Sequence, residues 1–185
     1  ILNVWDNEGV RYDEPKLKMM GIEAVKSSTP APCRGYIKQA LKIIMEGTED
    51  ELINFIDEKR IEFSSLEPEE IAFPRSASNI TKYTSPVTIY EKGTPLHIRG
   101  CVMYNHFLRE KKLTHKYNII NDGEKIKFTY LKLPNPFREN VVSFISDLPP
   151  EFGLAEFVDY DTMYNKSFIE PMKLILDTIG WRTEK

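Results

Sequence analysis

Between Thr29 and Phe63 two stretches of apolar residues recur at helical spacing, with only Gly47-Thr48 between them. Ile37, Ala40, Leu41, Ile44 and Met45 recur at spacings of three and four, which puts them on one buried face of a helix. Gly47 stops that helix and Thr48 begins the next, which runs through Leu52, Ile53, Phe55 and Ile56 to about Phe63. A link this short makes the two helices antiparallel neighbours, an αα-hairpin. Ser27, Ser28 or Thr29 is the expected cap of the first helix, with Pro30 or Pro32 in its first turn, where the missing N–H is not needed. Residues 46–72 hold ten acids against Lys59 and Arg60. The exposed face of the hairpin is therefore acidic, and the acids in the first turn of its second helix suit the helix dipole.

After Pro68 the period changes. Ile71–Phe73 reads as a short strand and residues 74–79 as a loop. A third helix is expected from Leu96 to about Lys111, with Ile98, Val102, Phe107 and Leu108 inward. Gly100 costs that helix about 1 kcal/mol relative to Ala, so a close backbone approach is expected there. Asn121-Asp122-Gly123 is a turn signal, expected to join strands at Tyr117–Ile120 and Ile126–Leu133. In the second strand Lys125, Lys127 and Thr129 alternate with Ile126, Phe128 and Tyr130, one face wet and one buried. Val141–Ile145 is a further strand, and a last helix runs from Tyr164 to Thr178, ending at Gly180. Residues 1–28 read as irregular. The fold class is α+β, mainly helical, with a small antiparallel β subdomain.

The longest apolar runs are strand-sized, far short of the roughly 18 residues that a membrane span needs. Cys33 and Cys101 make no disulfide framework, and the opening ILNVWDNEGV has no leader character, so the expected setting is reducing cytoplasm. The charge is segregated: residues 90–132 carry nine Lys or Arg against four acids, beside the acidic block. Such segregation can turn one surface toward a polyanion.

Catalytic motifs are absent. His97, His106 and His115 lie nine residues apart, two and a half helical turns, so neighbours face opposite sides. There is no phosphate-cradling glycine loop, no GxSxG and no HExxH. Asp159-Tyr160-Asp161 has the outline of a metal motif, yet it precedes a helix that Asp161 would simply cap. The expected catalytic and metal residues are none. The remaining chemistry is a scatter of bases and small polar residues, including Arg75, Ser76, Lys127 and those named below, as phosphate contact requires.

The stretch Asn7–Pro30, NEGVRYDEPKLKMMGIEAVKSSTP, resembles the junction between palm and thumb of family B DNA polymerases from T-even-like tailed phages. SASNITKY (76–83), PLHIRG (95–100), NDGEKIKF (121–128), LPNPF (133–137) and NKSFIEP (165–171) follow in the order of that family's thumb. The resemblance implies a palm-to-thumb connecting segment at 1–28 and a thumb domain at 29–185. It implies a chain that grips primer–template duplex along its sugar–phosphate backbone and has no catalytic centre of its own. The DNA-facing residues it implies are Ser78, Asn79, Lys82, Lys92, Arg99, Lys125, Arg138 and Lys166. No cofactor is expected in this segment, since Mg²⁺ would belong to the palm. The implied partners are duplex DNA, the palm, fingers and exonuclease, and a sliding clamp if a further C-terminal tail exists; the setting would be host-cell cytoplasm. The sequence departs from the family pattern at Glu170, where a second Lys is expected, and at Asn140, where a base is expected two positions beyond Arg138. The alternative reading is a non-enzymatic interaction module that uses its acidic hairpin.

Overall fold

The computed structural model describes residues 1–185. The α+β class holds, with two small antiparallel sheets. Residues expected to be irregular form a ribbon, β1 (Leu2–Trp5) against β2 (Arg11–Leu17). Its turn is tied by Asp6, whose carboxylate accepts from the Glu8 and Val10 amides. That polar turn chemistry is what an apolar-periodicity reading overlooks.

The hairpin forms as expected from α1 (Ala31–Glu46) and α2 (Glu49–Ser64). Pro30 occupies the cap position of α1 with no side-chain cap, so none of Ser27, Ser28 and Thr29 serves there. Thr48 and Glu51 form a reciprocal capping box on α2. α3 (Pro68–Ile71) is a single turn, which displaces the expected strand to β3 (Phe73–Ser76). Pro74 is tolerated because β3 is an edge strand.

α4 (Leu96–Glu110) lies across the second sheet, whose strand order is β3–β4–β5, with β4 at Lys125–Tyr130 and β5 at Val141–Phe144. β4 does not pair with Tyr117–Ile120, which is not a strand. Instead it pairs with β3 from Phe73–Phe128 to Ser76–Lys125, and with β5 from Lys127–Phe144 to Tyr130–Val141. The backbone of Ile120 is satisfied elsewhere: buried Asn105 donates to its carbonyl at 2.9 Å and accepts from its amide at 2.8 Å. Thr129, expected to be wet, is fully buried, because α5 (Tyr160–Tyr164) packs beside β4.

The last helix begins earlier than expected, as α5. It passes through a π-helical turn at Asn165–Ile169 into α6 (Glu170–Ile179), and ends at Gly180 with φ +74°. Asp159 caps α5 by accepting from the Thr162 amide at 3.1 Å, a role expected of Asp161. Tyr164 and Phe168 of this element close the core against α1 and α2: Phe63 packs on Tyr164 at 5.3 Å and Tyr36 on Phe168 at 5.9 Å. The buried Tyr164 hydroxyl donates to the Ile56 carbonyl at 2.7 Å. Cys33 and Cys101 are both fully buried and unpaired. No helix is long and apolar enough to cross a membrane.

Candidate nucleic-acid interface

The turn after β3 and the turn before β4 are laced into one corner. Gly123 donates its amide to the Ala77 carbonyl, Ala77 donates to the Glu124 carbonyl, and the Ile80 amide donates to the Asp122 carboxylate, each at 2.8 Å. Gly123 supplies φ +81° and Asn79 φ +62°, left-handed conformations that glycine and asparagine tolerate best. A short helical turn follows, with the Lys82 backbone amide donating to the Asn79 carbonyl at 3.1 Å. Ser78, Asn79, Lys82 and Lys125 are thereby gathered, all exposed, at this one corner. Lys125 makes no ion pair. The nearest carboxylate in sequence, Glu124, is taken by the amide and side chain of Asn121, whose hydrogen bonds hold it below its ordinary pKa.

Lys166 stands elsewhere. It projects from the π-helical turn with its Nζ 5.4 Å from the centre of the Tyr130 ring. Tyr130 is five residues along β4 from Lys125, roughly 17 Å at strand rise, and alternation turns it to the opposite face. On that face Phe128 packs against Tyr130, and Arg75 lies 5.4 Å and 5.5 Å over Phe73 and Phe128. The π turn is anchored beneath by Ser167, whose hydroxyl donates to the Met163 carbonyl and contacts Cys33 Sγ at 3.1 Å. Beside the aromatic face, burial first and the Arg75 charge second push the His97 imidazole below its ordinary pKa.

Arg99 is engaged inside the chain. Its guanidinium donates to Asn140 Oδ1 at 2.5 Å, lies 3.6 Å from the Glu139 carboxylate and stacks over Tyr90 at 5.8 Å. The Tyr90 hydroxyl completes the network by donating to Glu139 at 2.5 Å. Asn140, where a base was expected, is thus a partner of Arg99. Lys92 is exposed in the loop that ends at Gly93, and Arg138 is exposed with φ +54°. The structure therefore groups Ser78, Asn79, Lys82 and Lys125, sets Lys166 at the far end of β4, and ties Arg99 to acidic and amide partners. Arg75, one of the scattered bases of the sequence, lines a cleft with Lys125 in the fold. The base not singled out from the sequence is Arg34, signalled by its position: a base in the first turn of a helix that carries no acid there runs against the usual dipole preference.

The acidic residues do not fit a site for a divalent ion pair. Asp159 is occupied by the Thr162 amide and hydroxyl, and no group of three or more His, Cys, Asp or Glu is placed to hold a metal. On the hairpin side, Glu51 and Glu70 accept from backbone amides at helix starts, Glu69 accepts from the Leu148 amide at 2.9 Å, Glu49 binds Arg182 and Glu62 binds Lys59.

A corner of bare bases and small polar groups on a scaffold without a metal cluster suits a surface that binds a polyanion. No family model matches the chain. Among curated proteins its sequence is similar to DNA-directed DNA polymerases of the T-even phage type. One is the DNA-directed DNA polymerase of Escherichia phage RB69, 35% identical over 181 residues and 93% of this chain. The other is that of Enterobacteria phage T4, 28% identical over 193 aligned positions and all of this chain. The chain spans about a fifth of the length of these relatives, 19% and 20% respectively.

Proposed function

We propose that this chain is the thumb of such a polymerase, residues 29–185, entered through a palm-derived connection at 1–28. In this reading it grips primer–template duplex through the sugar–phosphate backbone and contributes positioning and processivity. Phosphoryl transfer and its Mg²⁺ ions belong to a palm, and fingers and exonuclease are its other partners, with a sliding clamp if a further C-terminal tail exists. The observation that carries the proposal is the exposed corner of Ser78, Asn79, Lys82 and Lys125, unpaired with any acid, on a chain most or all of which aligns with about a fifth of each of two DNA polymerases. Lys and Arg supply the charge for phosphate binding while Ser and Asn fix register. Lys166, Lys92 and Arg138 extend the surface. Arg99 contributes by holding Tyr90 and the 133–140 segment in place.

Binding of a labelled DNA duplex, followed by fluorescence anisotropy across a salt series, tests this. The dissociation constant should lie roughly in the 10⁻⁴–10⁻⁶ M range of non-specific binding at physiological salt. Lys125→Ala and Lys166→Ala should each weaken binding equally for all sequences and lower the salt slope by about one unit. Glu170→Lys, one helical turn beyond Lys166, should tighten it. Unchanged slopes in both alanine variants, with Glu170→Lys silent, would remove this surface as the duplex-binding face.

A further inference from the structure

The outer side of β3 holds an arrangement that the corner at Lys125 does not exhaust. Two clefts adjoin there and meet at Pro74. One, of about 400 Å³, is lined by the start of α1 and by Arg34, Glu69, Glu70 and Lys127. The other, of about 380 Å³, is lined by Ser27, Ser28, Arg75, Ser76, Lys125 and Ile126. Together they form one groove with four bases along it.

Its charges are available. The Arg34 side chain makes no hydrogen bond and no ion pair, and its Nε is shielded from water without any partner. A guanidinium donor in that state is costly unless an anion reaches it. Lys127 gives one hydrogen to the Glu69 carbonyl at 3.1 Å and keeps two. Lys125 and Lys127 are two residues apart on one strand, so they project to the same face roughly 7 Å apart. The two acids of the groove are turned to other work: Glu69 accepts from the Leu148 amide and Glu70 from the Glu67 amide, both at 2.9 Å. Arg75 fixes the wall by donating to the Ser28 carbonyl at 2.9 Å and the Pro74 carbonyl at 2.7 Å. The hydroxyls of Ser27, Ser28 and Ser76 have no partner in the chain.

We propose that this groove receives the sugar–phosphate backbone of one nucleic-acid strand, with Arg34 and Lys127 as phosphate ligands beside Lys125. The inference rests on the duplex-grip reading and adds to it a second stretch of contact, on the α1 side of the sheet. A row of cations spaced along a strand, with serines between them, suits a repeating anion better than a single one. Clefts of about 400 and 380 Å³ are too small to hold a whole duplex, so the remainder of the duplex lies outside the groove. Arg34 supplies a planar fork and Lys127 a point charge.

The test uses the 185-residue chain, a labelled duplex and the same salt series. Arg34→Gln/Lys127→Gln should lower the salt slope by about two units and weaken binding at every salt concentration. Arg34→Lys should retain the slope that Arg34→Gln loses, a rescue that a packing role would not give. Arg34→Gln alone carries the test if the double variant melts early. If Arg34→Gln and the double variant leave the slope unchanged while Lys125→Ala still lowers it, the groove is overturned and the duplex grip stands. If none of the three lowers it, and Lys166→Ala and Glu170→Lys are silent too, the duplex-grip reading itself fails.

Discussion

Gly100→Ala isolates the contact on which the interface scaffold depends. Gly100 sits in the middle of α4 where the helix backbone meets β5. A Cβ built there would run into Ser143 Oγ and fall 2.8 Å from the Ser143 amide nitrogen and 3.1 Å from the Val142 carbonyl carbon. The hydroxyl can rotate, at the expense of its 2.7 Å hydrogen bond to the His97 carbonyl, worth about 1 kcal/mol. The amide nitrogen cannot move without moving the strand. Overpacking of this kind costs about 1–3 kcal/mol, and alanine's better helix propensity returns about 1 kcal/mol. The net destabilisation should be about 1–3 kcal/mol, a fall in melting temperature of roughly 2–12 °C for a chain of this size. Urea unfolding followed by far-ultraviolet circular dichroism measures it. Adding Ser143→Gly should recover only part of the loss, because the amide clash remains. A midpoint equal to or above the wild-type value would refute the close-approach argument, and full rescue by Ser143→Gly would place the clash in the hydroxyl alone.

Other outcomes follow from single contacts. Thr48→Ala removes the α2 cap and should cost about 1 kcal/mol by the same unfolding assay. Cys33 and Cys101 are pushed by burial up to about 11 and about 12, so a thiol reagent at pH 8 should label neither in the native protein and both in denaturant. Lys116 and Tyr117 hold the Glu151 carboxyl at about 2, well below its ordinary 4.5. A carboxyl depressed on folding adds stability above its unfolded value, and that stability is lost as pH falls toward about 2. Lys116→Ala should therefore raise the Glu151 titration midpoint, read by NMR, and flatten the acid limb of stability; an unmoved midpoint would show the pair to be inconsequential. The chain alone, given primed template, Mg²⁺ and nucleotides, should extend no primer, and extension by homogeneous protein would overturn the thumb assignment.

What the sequence disclosed was whatever is local. The α1–α2 hairpin follows from two apolar periods and a two-residue link, and the close approach at Gly100 from a glycine placed in mid-helix. The Asn121-Asp122-Gly123 turn was legible as a turn, but not what it joins. That depends on Asn105 capturing Ile120 and on β3 arriving from the far side of α4, both long-range facts. The ribbon at residues 1–17 has too few apolar alternations to announce itself. Thr129 reads as wet by strand alternation and is buried because a second layer, α5, covers that side. At the site, exposure and partners decided more than residue type. Arg99 and Lys125 are equally basic in the sequence; only the fold gives Arg99 to Glu139 and Asn140 and leaves Lys125 unpaired.

The same consideration weighs on the alternative reading, in which the acidic hairpin docks a basic partner. Half of the ten acids in residues 46–72 have work within the chain. Glu51 and Glu70 terminate helices, Glu69 secures the Leu148 loop, Glu62 holds Lys59 and receives the Tyr36 hydroxyl, and Glu49 fixes Arg182. An acid bound to a backbone amide keeps its charge but has little geometry left to offer a partner. Lys82, Lys92, Lys125 and Arg138 have no ion pair within the chain, and Lys166 touches only the face of an aromatic ring. Charge without an internal partner is the part of a surface still open to an external one, and around the second sheet that charge is basic. Half of the acidic face holds its own helices and the chain's C-terminal segment, whereas these five bases hold no acid, which gives the basic side chemistry to spare for a polyanion.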